Sequence, residues 1–310
     1  MSFTAIQGQK RAERILSGLL ATGRIPAAML FVGPDGVGKT VIAHDFAKAL
    51  VCPSAEDGRG PCGLCGDCQA VDRRMHLDVK AVNQDYQTSL NEGEVSKGGT
   101  LKVDTILHLR HDMEMQSMLG RWKVAVIEDA HTLENESANA LLKILEEPPP
   151  KTLWILLTSQ RDRLPKTIPS RCFSIPFSPL PAAVVAAAVQ RAGIPADRAA
   201  RLAELSEGSV SRALQLAQGP GYPESLLEAP LSPLTAADAL PKEAYLARAQ
   251  VETALYALSQ HLRLRHLDGL APFSRVERPL RELGRLRQSL RANADPKSVL
   301  LLAALEVQGL

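Results

Sequence analysis

Apolar residues fall into short, nearly continuous runs in the first half of the chain: Ala28–Val32, Lys123–Ile127 and Leu153–Thr158. Runs of this length with no polar alternation predict strands covered on both faces. Between the last two, Ala138, Leu141, Leu142 and Leu145 recur at helical spacing, and Pro148-Pro149-Pro150 stops the helix they define. Ile42, Phe46, Ala49 and Leu50 mark another helix, directly after the first run. Strands alternating with helices predict an α/β domain with a mainly parallel sheet over residues 1–178.

From Pro181 the period changes. Pro181–Ala192, Pro195–Ser206 and Ser209–Gln218 read as short helices and predict a small helical domain over 179–219. Gly219-Pro220-Gly221-Tyr222-Pro223 opens a proline-dotted linker, 220–241. Residues 242–310 are rich in leucine and arginine and predict a helical C-terminal domain. Within it Pro279 is expected to start a helix whose buried stripe is Leu280, Leu283, Leu286 and Leu290. Arg275, Arg278, Arg281, Arg285, Arg287 and Arg291 crowd the same stretch. They read as a solvated face on an oligomerising helix, with a phosphate-contacting surface as the alternative.

Composition narrows the class. A chain of 310 residues allows two or three domains, and aromatics at 4% leave Leu, Ala and Val to do most of the packing. The net charge of +2 is too balanced for nucleic-acid binding by bulk charge. No apolar run reaches the ~20 residues needed to cross a bilayer, so a soluble, cytosolic protein is expected.

The chemistry concentrates in two places. Gly33-Pro34-Asp35-Gly36-Val37-Gly38-Lys39-Thr40 fits G-x-x-x-x-G-K-[ST], between a predicted strand and a predicted helix. The glycines Gly33, Gly36 and Gly38 let backbone N–H groups curl around a phosphate, and the helix N-terminus adds its dipole. Lys39 would reach the β/γ oxygens of ATP and the Thr40 hydroxyl would ligate Mg²⁺. A glycine-rich turn with no ligand is the bland alternative. Next come Cys52, Cys62, Cys65 and Cys68, spaced C-x9-C-x2-C-x2-C within a zinc module at 52–68. Four thiolates suffice for a closed structural zinc site. A disulfide pair or a redox C-x-x-C are the competing readings. Cys172 stands alone and reads as a small buried residue.

Glu128 and Asp129 end the Lys123–Ile127 strand, where a phosphate-loop protein carries the acids for its Mg²⁺ and attacking water. The order is the reverse of the usual Asp-Glu, and Asp129 is one methylene short of the usual base. Ordinary strand-end surface charges are the alternative. Thr158 ends the next strand and would sense the γ-phosphate. Arg212 begins the last of the short helices and would fold over the nucleotide. Arg171, in Ser170-Arg171-Cys172, lies on a loop from which a finger would reach a neighbour's phosphate.

Gln7-Gly8-Gln9, Gly33–Thr40, the four cysteines, Asn139-Ala140-Leu141-Leu142-Lys143-Ile144-Leu145-Glu146-Glu147-Pro148-Pro149, Ser170-Arg171-Cys172 and Gly208–Ala213 together resemble the clamp-loader subunits of bacterial DNA polymerase III, of the AAA+ family. The likeness spans roughly residues 3 to 215, and the residues after it fit that family's C-terminal collar domain only by position and helical character. The resemblance implies an AAA+ domain, a helical lid and a collar. It also implies bound ATP/Mg²⁺, structural zinc, and work in the complex that loads the sliding β-clamp onto primed DNA beside the gamma/tau and delta subunits. The Glu128-Asp129 inversion, the extra segment Asn91–Thr100, Leu101-Lys102-Val103-Asp104 and the chain length favour a delta-prime-type subunit with weak or no ATPase, lending Arg171 to its neighbour. The intact Lys39-Thr40 pair favours the alternative, a gamma/tau-type motor. An unrelated zinc-containing P-loop enzyme is the remaining reading.

Overall fold

The computed structural model describes residues 8–55, 60–90, 100–118, 121–218 and 232–308. Gln7, Gly58, residues 91–99 and 219–231 lie outside them, and with these most of the extra segment and the first half of the expected linker. The chain divides into two compact units, Met1–Leu180 and Pro181–Leu310.

In order, the first unit holds α1 (Lys10–Thr22), β1 (Ala28–Val32), α2 (Lys39–Val51), α3 (Gly66–Asp72), β2 (Val79–Val82), α4 (Gln84–Leu90), α5 (Val103–Glu114), β3 (Lys123–Ile127), α6 (Asn135–Glu146), β4 (Thr152–Thr158) and β5 (Phe173–Pro176). The strands form one sheet in the order β2-β3-β4-β1-β5, every pairing parallel. β3 and β4 are buried along their whole length, as their nearly continuous apolar runs require. β2 and β5 flank the sheet, are shorter and partly exposed, and carry too little pattern to be read from sequence. The predicted stripe of α6 is buried at Ala138, Leu141 and Leu145 and packs with Leu30, Ile127 and Trp154 in one core. The helix stops at Glu146, before the proline run.

Register sets the functional edge. Val32 pairs with Thr158 and Pro176, and Ile127 pairs with Val82 and Leu156, so the C-terminal ends of β1, β3 and β4 align. Open parallel sheets bind ligands outside this edge. A buried glutamine braces the flank: Gln87 Oε1 accepts from Lys102 N at 2.7 Å and from the Thr105 hydroxyl at 2.9 Å, tying α4 to the start of α5.

The second unit contains α7 (Ala182–Arg191), α8 (Ala196–Leu205), α9 (Val210–Gln218), α10 (Ser232–Asp238), α11 (Ala244–Leu267), α12 (Phe273–Arg291) and α13 (Pro296–Val307). Pro181 and Pro195 cap α7 and α8 as expected. Ser232–Asp238 is helical where the sequence reads as linker, its Ala237 closing onto the core of α11, α12 and α13. Pro279 does not start α12, which begins at Phe273 after Pro272. Pro279 lies inside the helix and is itself buried, so the stripe runs Val276, Pro279, Leu283 and Leu290, with Leu280 and Leu286 only partly covered. Burial of the ring offsets part of the cost of its missing N–H.

Candidate nucleotide site and metal centre

β1 delivers the chain to the loop, and packing makes Gly33 obligatory. A Cβ there would run into the Phe177 carbonyl oxygen and lie 2.7 Å from the Phe177 Cβ. Gly33 N donates to Thr158 O at 3.1 Å, and Phe177 N to Val32 O at 2.7 Å, which fixes both sides of the loop's entry. Gly36 and Gly38 take φ of 73° and 94°, the left-handed region glycine enters at no steric cost. Gln9 holds the crest: its Nε2 donates to Val37 O at 3.3 Å and to Ser178 O at 2.6 Å, while its Oε1 accepts from Ser178 N at 3.2 Å.

No side chain caps α2 at Gly38, so the first amides of that helix face the loop with no intrahelical acceptor. Lys39 is buried there, its Nζ donating to Gly33 O and Pro34 O at 2.7 Å each and standing 3.6 Å from Asp35. Burial pulls the Lys39 amine below its ordinary value, and Asp35 and Asp129 oppose the shift. Thr40 follows on the first turn of α2. The buried Thr158 is locked to the next turn by accepting from Gln160 N at 3.1 Å.

The two acids have different surroundings. Glu128 N donates to Val82 O at 2.9 Å, extending the β2–β3 ladder by one residue. Its carboxylate is met by Arg74 Nη2 at 3.2 Å, His44 Nε2 at 3.9 Å and Asn83 Nδ2 at 3.5 Å. Burial alone would raise the Glu128 carboxyl, but His44, Arg74 and Asn83 together hold it below its ordinary value. Asp129 sits at φ 48° and ψ 46°, a left-handed conformation costing on the order of 1 kcal/mol. Its carboxyl is raised by burial, with Asp35 and Glu128 adding and His131 and Lys39 opposing. Arg74, His44 and Asn83 were not legible in the sequence, because they come from separate elements with no motif spacing.

The four cysteines converge. The Sγ atoms of Cys52, Cys62, Cys65 and Cys68 all lie within 4.8 Å of one another, with Cys62–Cys68 at 4.0 Å and Cys65–Cys52 at 3.9 Å. Zn–S bonds of ~2.3 Å arranged tetrahedrally give S···S edges of about 3.8 Å, so the set fits zinc, whereas a disulfide needs about 2 Å. Backbone N–H groups of Cys62, Cys65 and Cys68 each donate to the preceding ligand's sulfur at 3.4 Å, which favours thiolates. N–H groups of Leu64 and Cys65 pull the Cys62 thiol down to about 6. With all four positions filled by sulfur, the metal would be structural. Cys172 packs against the sheet core, and burial pushes its thiol up to about 12.

The remaining predicted residues make contacts within their own units. Arg171 Nη2 donates to Glu146 Oε1 at 2.7 Å and its Nη1 to Thr167 O at 3.2 Å, joining Ser170-Arg171-Cys172 to the end of α6 at the surface. Arg212 lies in the second unit, 4.2 Å over the Tyr256 ring, with Nη1 donating to a tyrosine hydroxyl, that of Tyr256, at 3.0 Å and standing 3.6 Å from Glu207. On α12, Arg287 and Arg291 both bond Glu252, Arg281 bonds Glu277 and Arg285 bonds Glu282. These pairs make much of the basic stretch a charge-balanced face.

Fold and loop together define an α/β P-loop protein carrying a four-cysteine cluster. Residues 8–181 match the family described as DNA polymerase III, delta subunit, and the chain belongs to that family. Named relatives include the DNA polymerase III subunit tau/gamma of Haemophilus influenzae, 32% identical over 69% of this chain and 30% of that one. The subunit gamma of Buchnera aphidicola subsp. Acyrthosiphon pisum is 36% identical over 55% of this chain and 43% of that one. The chain thus spans less than half the length of these curated relatives. Among solved structures, a DNA polymerase III gamma subunit-related protein from Thermotoga maritima aligns with TM-score 0.53 at 16% identity, over 96% of this chain and 99% of that one, a likeness of fold. Among the described residues no helix is long and apolar enough to cross a membrane.

Proposed function

We propose that this chain is a nucleotide-binding subunit of the DNA polymerase III clamp loader. It would work beside gamma/tau and delta subunits to place the sliding β-clamp on primed DNA. The observation that carries the reading is the uncapped N-terminus of α2, with Lys39 buried at its mouth and two acids at the end of β3, inside a match to this family. Bound ATP would lie on the backbone of Gly33–Thr40. Lys39 would meet phosphate oxygens, the Thr40 hydroxyl would ligate Mg²⁺, and Glu128 would orient the ion's water shell. Thr158 and Arg212 are the proposed γ-phosphate contacts. Arg171 is the proposed donor of charge to a neighbouring subunit's phosphate, a contact that strengthens in the transition state. Zinc on Cys52, Cys62, Cys65 and Cys68 would hold the module that joins α2 to β2.

Within the complex, the gamma/tau-type reading now leads the delta-prime expectation. Relatives bearing the gamma and tau names are similar to this chain over 69% and 55% of its length. One observation keeps the delta-prime reading in play: the shorter Asp129, in a left-handed backbone conformation, stands in the base position, an arrangement suited to slow hydrolysis. Calorimetry with MgATP on wild type and Lys39→Ala tests the common claim, and no binding by the wild type would refute it. Steady ATP turnover by the isolated chain selects the gamma/tau type. Binding without turnover selects delta-prime.

A further inference from the structure

The zinc knuckle ends in a side chain that reaches the acid at the sheet edge. Cys65 caps α3 by accepting from Cys68 N, and the helix runs from these ligands to a left-handed C-terminal turn at Arg74. There Met75 N donates to Ala70 O at 2.8 Å and Arg74 N to Val71 O at 2.9 Å, the bond pair of a Schellman cap. Glycine usually fills that position, and here an arginine takes it at φ 57°. Its guanidinium lies 3.2 Å from Glu128 Oε1.

The same helix is anchored to the P-loop helix at both ends. Cys52 is the C-cap of α2, and Lys48 of α2 bridges Asp45 at 2.7 Å and Asp72 of α3 at 2.8 Å. Three elements therefore converge on one carboxylate: α2 through His44, the end of α3 through Arg74, and the end of β2 through Asn83. An ordinary exposed ion pair would not need this. The Glu128 side chain is only 18% exposed against 47% for Arg74, and neither ring nitrogen of His44 nor Glu128 Oε1 has a hydrogen-bond partner among the described residues.

We propose that Arg74 is a positioning residue that couples the zinc knuckle to Glu128, so that zinc occupancy governs how strongly the site holds Mg²⁺ with its nucleotide. The proposal rests on the nucleotide-binding reading above. Arg74→Gly is the test variant, because glycine accepts the left-handed backbone and the cap survives. The probe is a fluorescent ATP analogue titrated with and without added Mg²⁺. In Arg74→Gly the affinity gained on adding Mg²⁺ should fall about 10-fold, with metal-free affinity and zinc content kept. Arg74→Lys should recover part of the gain. A zinc-free Cys62→Ser, Cys65→Ser chain should show the same loss, and adding Arg74→Gly to it should cost nothing more. Unchanged Mg²⁺ dependence in Arg74→Gly, or fully additive losses, would overturn the coupling. A double-mutant cycle of Arg74→Gly with Glu128→Gln on urea stability separates the two readings. Independence of the two sites defeats the coupling whether or not nucleotide binds. Clear coupling in a wild-type chain that binds no nucleotide defeats only the functional reading.

Discussion

Gly33 shows how one residue type is dictated by its surroundings. The loop motif requires a glycine there, and the physical reason is the Phe177 backbone packed against its α-carbon. Gly33→Ala must push β1 and the segment after β5 apart, and we expect a loss of about 1–3 kcal/mol, read as a lowered urea midpoint. Glu128 carries a pH signature. Its carboxyl is held below its ordinary value in the folded chain, so the ionised form adds stability above the unfolded value of about 4.3. That contribution disappears as pH falls through the lowered folded value. Glu128→Gln should therefore flatten the acid limb of the stability–pH curve below about pH 4, and an unchanged limb would count against the Arg74 and His44 contacts. Lys39, Thr40 and the acid pair stand out in the sequence as candidates because they fall in contiguous residues. The partners of Glu128 do not, since His44, Arg74 and Asn83 meet it only through the fold.

At the scale of elements, legibility followed burial. β1, β3 and β4 announce themselves by nearly continuous apolar runs, whereas β2 and β5 flank the sheet with at least half their residues open and leave no comparable trace. α12 was misplaced by a rule that is sound on average: proline favours the first turn of a helix, yet Pro279 is interior and buried. Replacing it with alanine restores a hydrogen bond worth up to ~3 kcal/mol of helix stability and loses ~1–2 kcal/mol of apolar burial. Pro279→Ala should thus raise the melting temperature by a few degrees, and a clear drop would show that the ring's packing outweighs the helix. The cysteine knuckle is the element that a metal would hold. Elemental analysis should find one zinc per chain, and removing it should lower the melting temperature. Chains free of zinc with an unchanged melt would contradict the assignment.

For the whole molecule, the question is what the two units do in company. The sequence made the P-loop unit plain through its motifs, while the helical unit offered only stripes, and its charges turn out to be largely paired on the face of α12. Arg171 and Glu146, from two separate motif blocks, meet at the surface in an ion pair. Arg171→Ala should keep this chain's own nucleotide affinity and depress the ATPase of the complex, with Arg171→Lys rescuing poorly because it lacks the planar fork. Equal ATPase rates would make Arg171 a local structural residue. The most direct test of the account is clamp loading reconstituted from the other loader subunits, the sliding clamp, primed DNA and ATP of the same source, with and without the full chain. The account predicts that clamp deposition depends on this chain and is lost with Lys39→Ala or Arg171→Ala, whichever subunit type it is. Full deposition in its absence would contradict it.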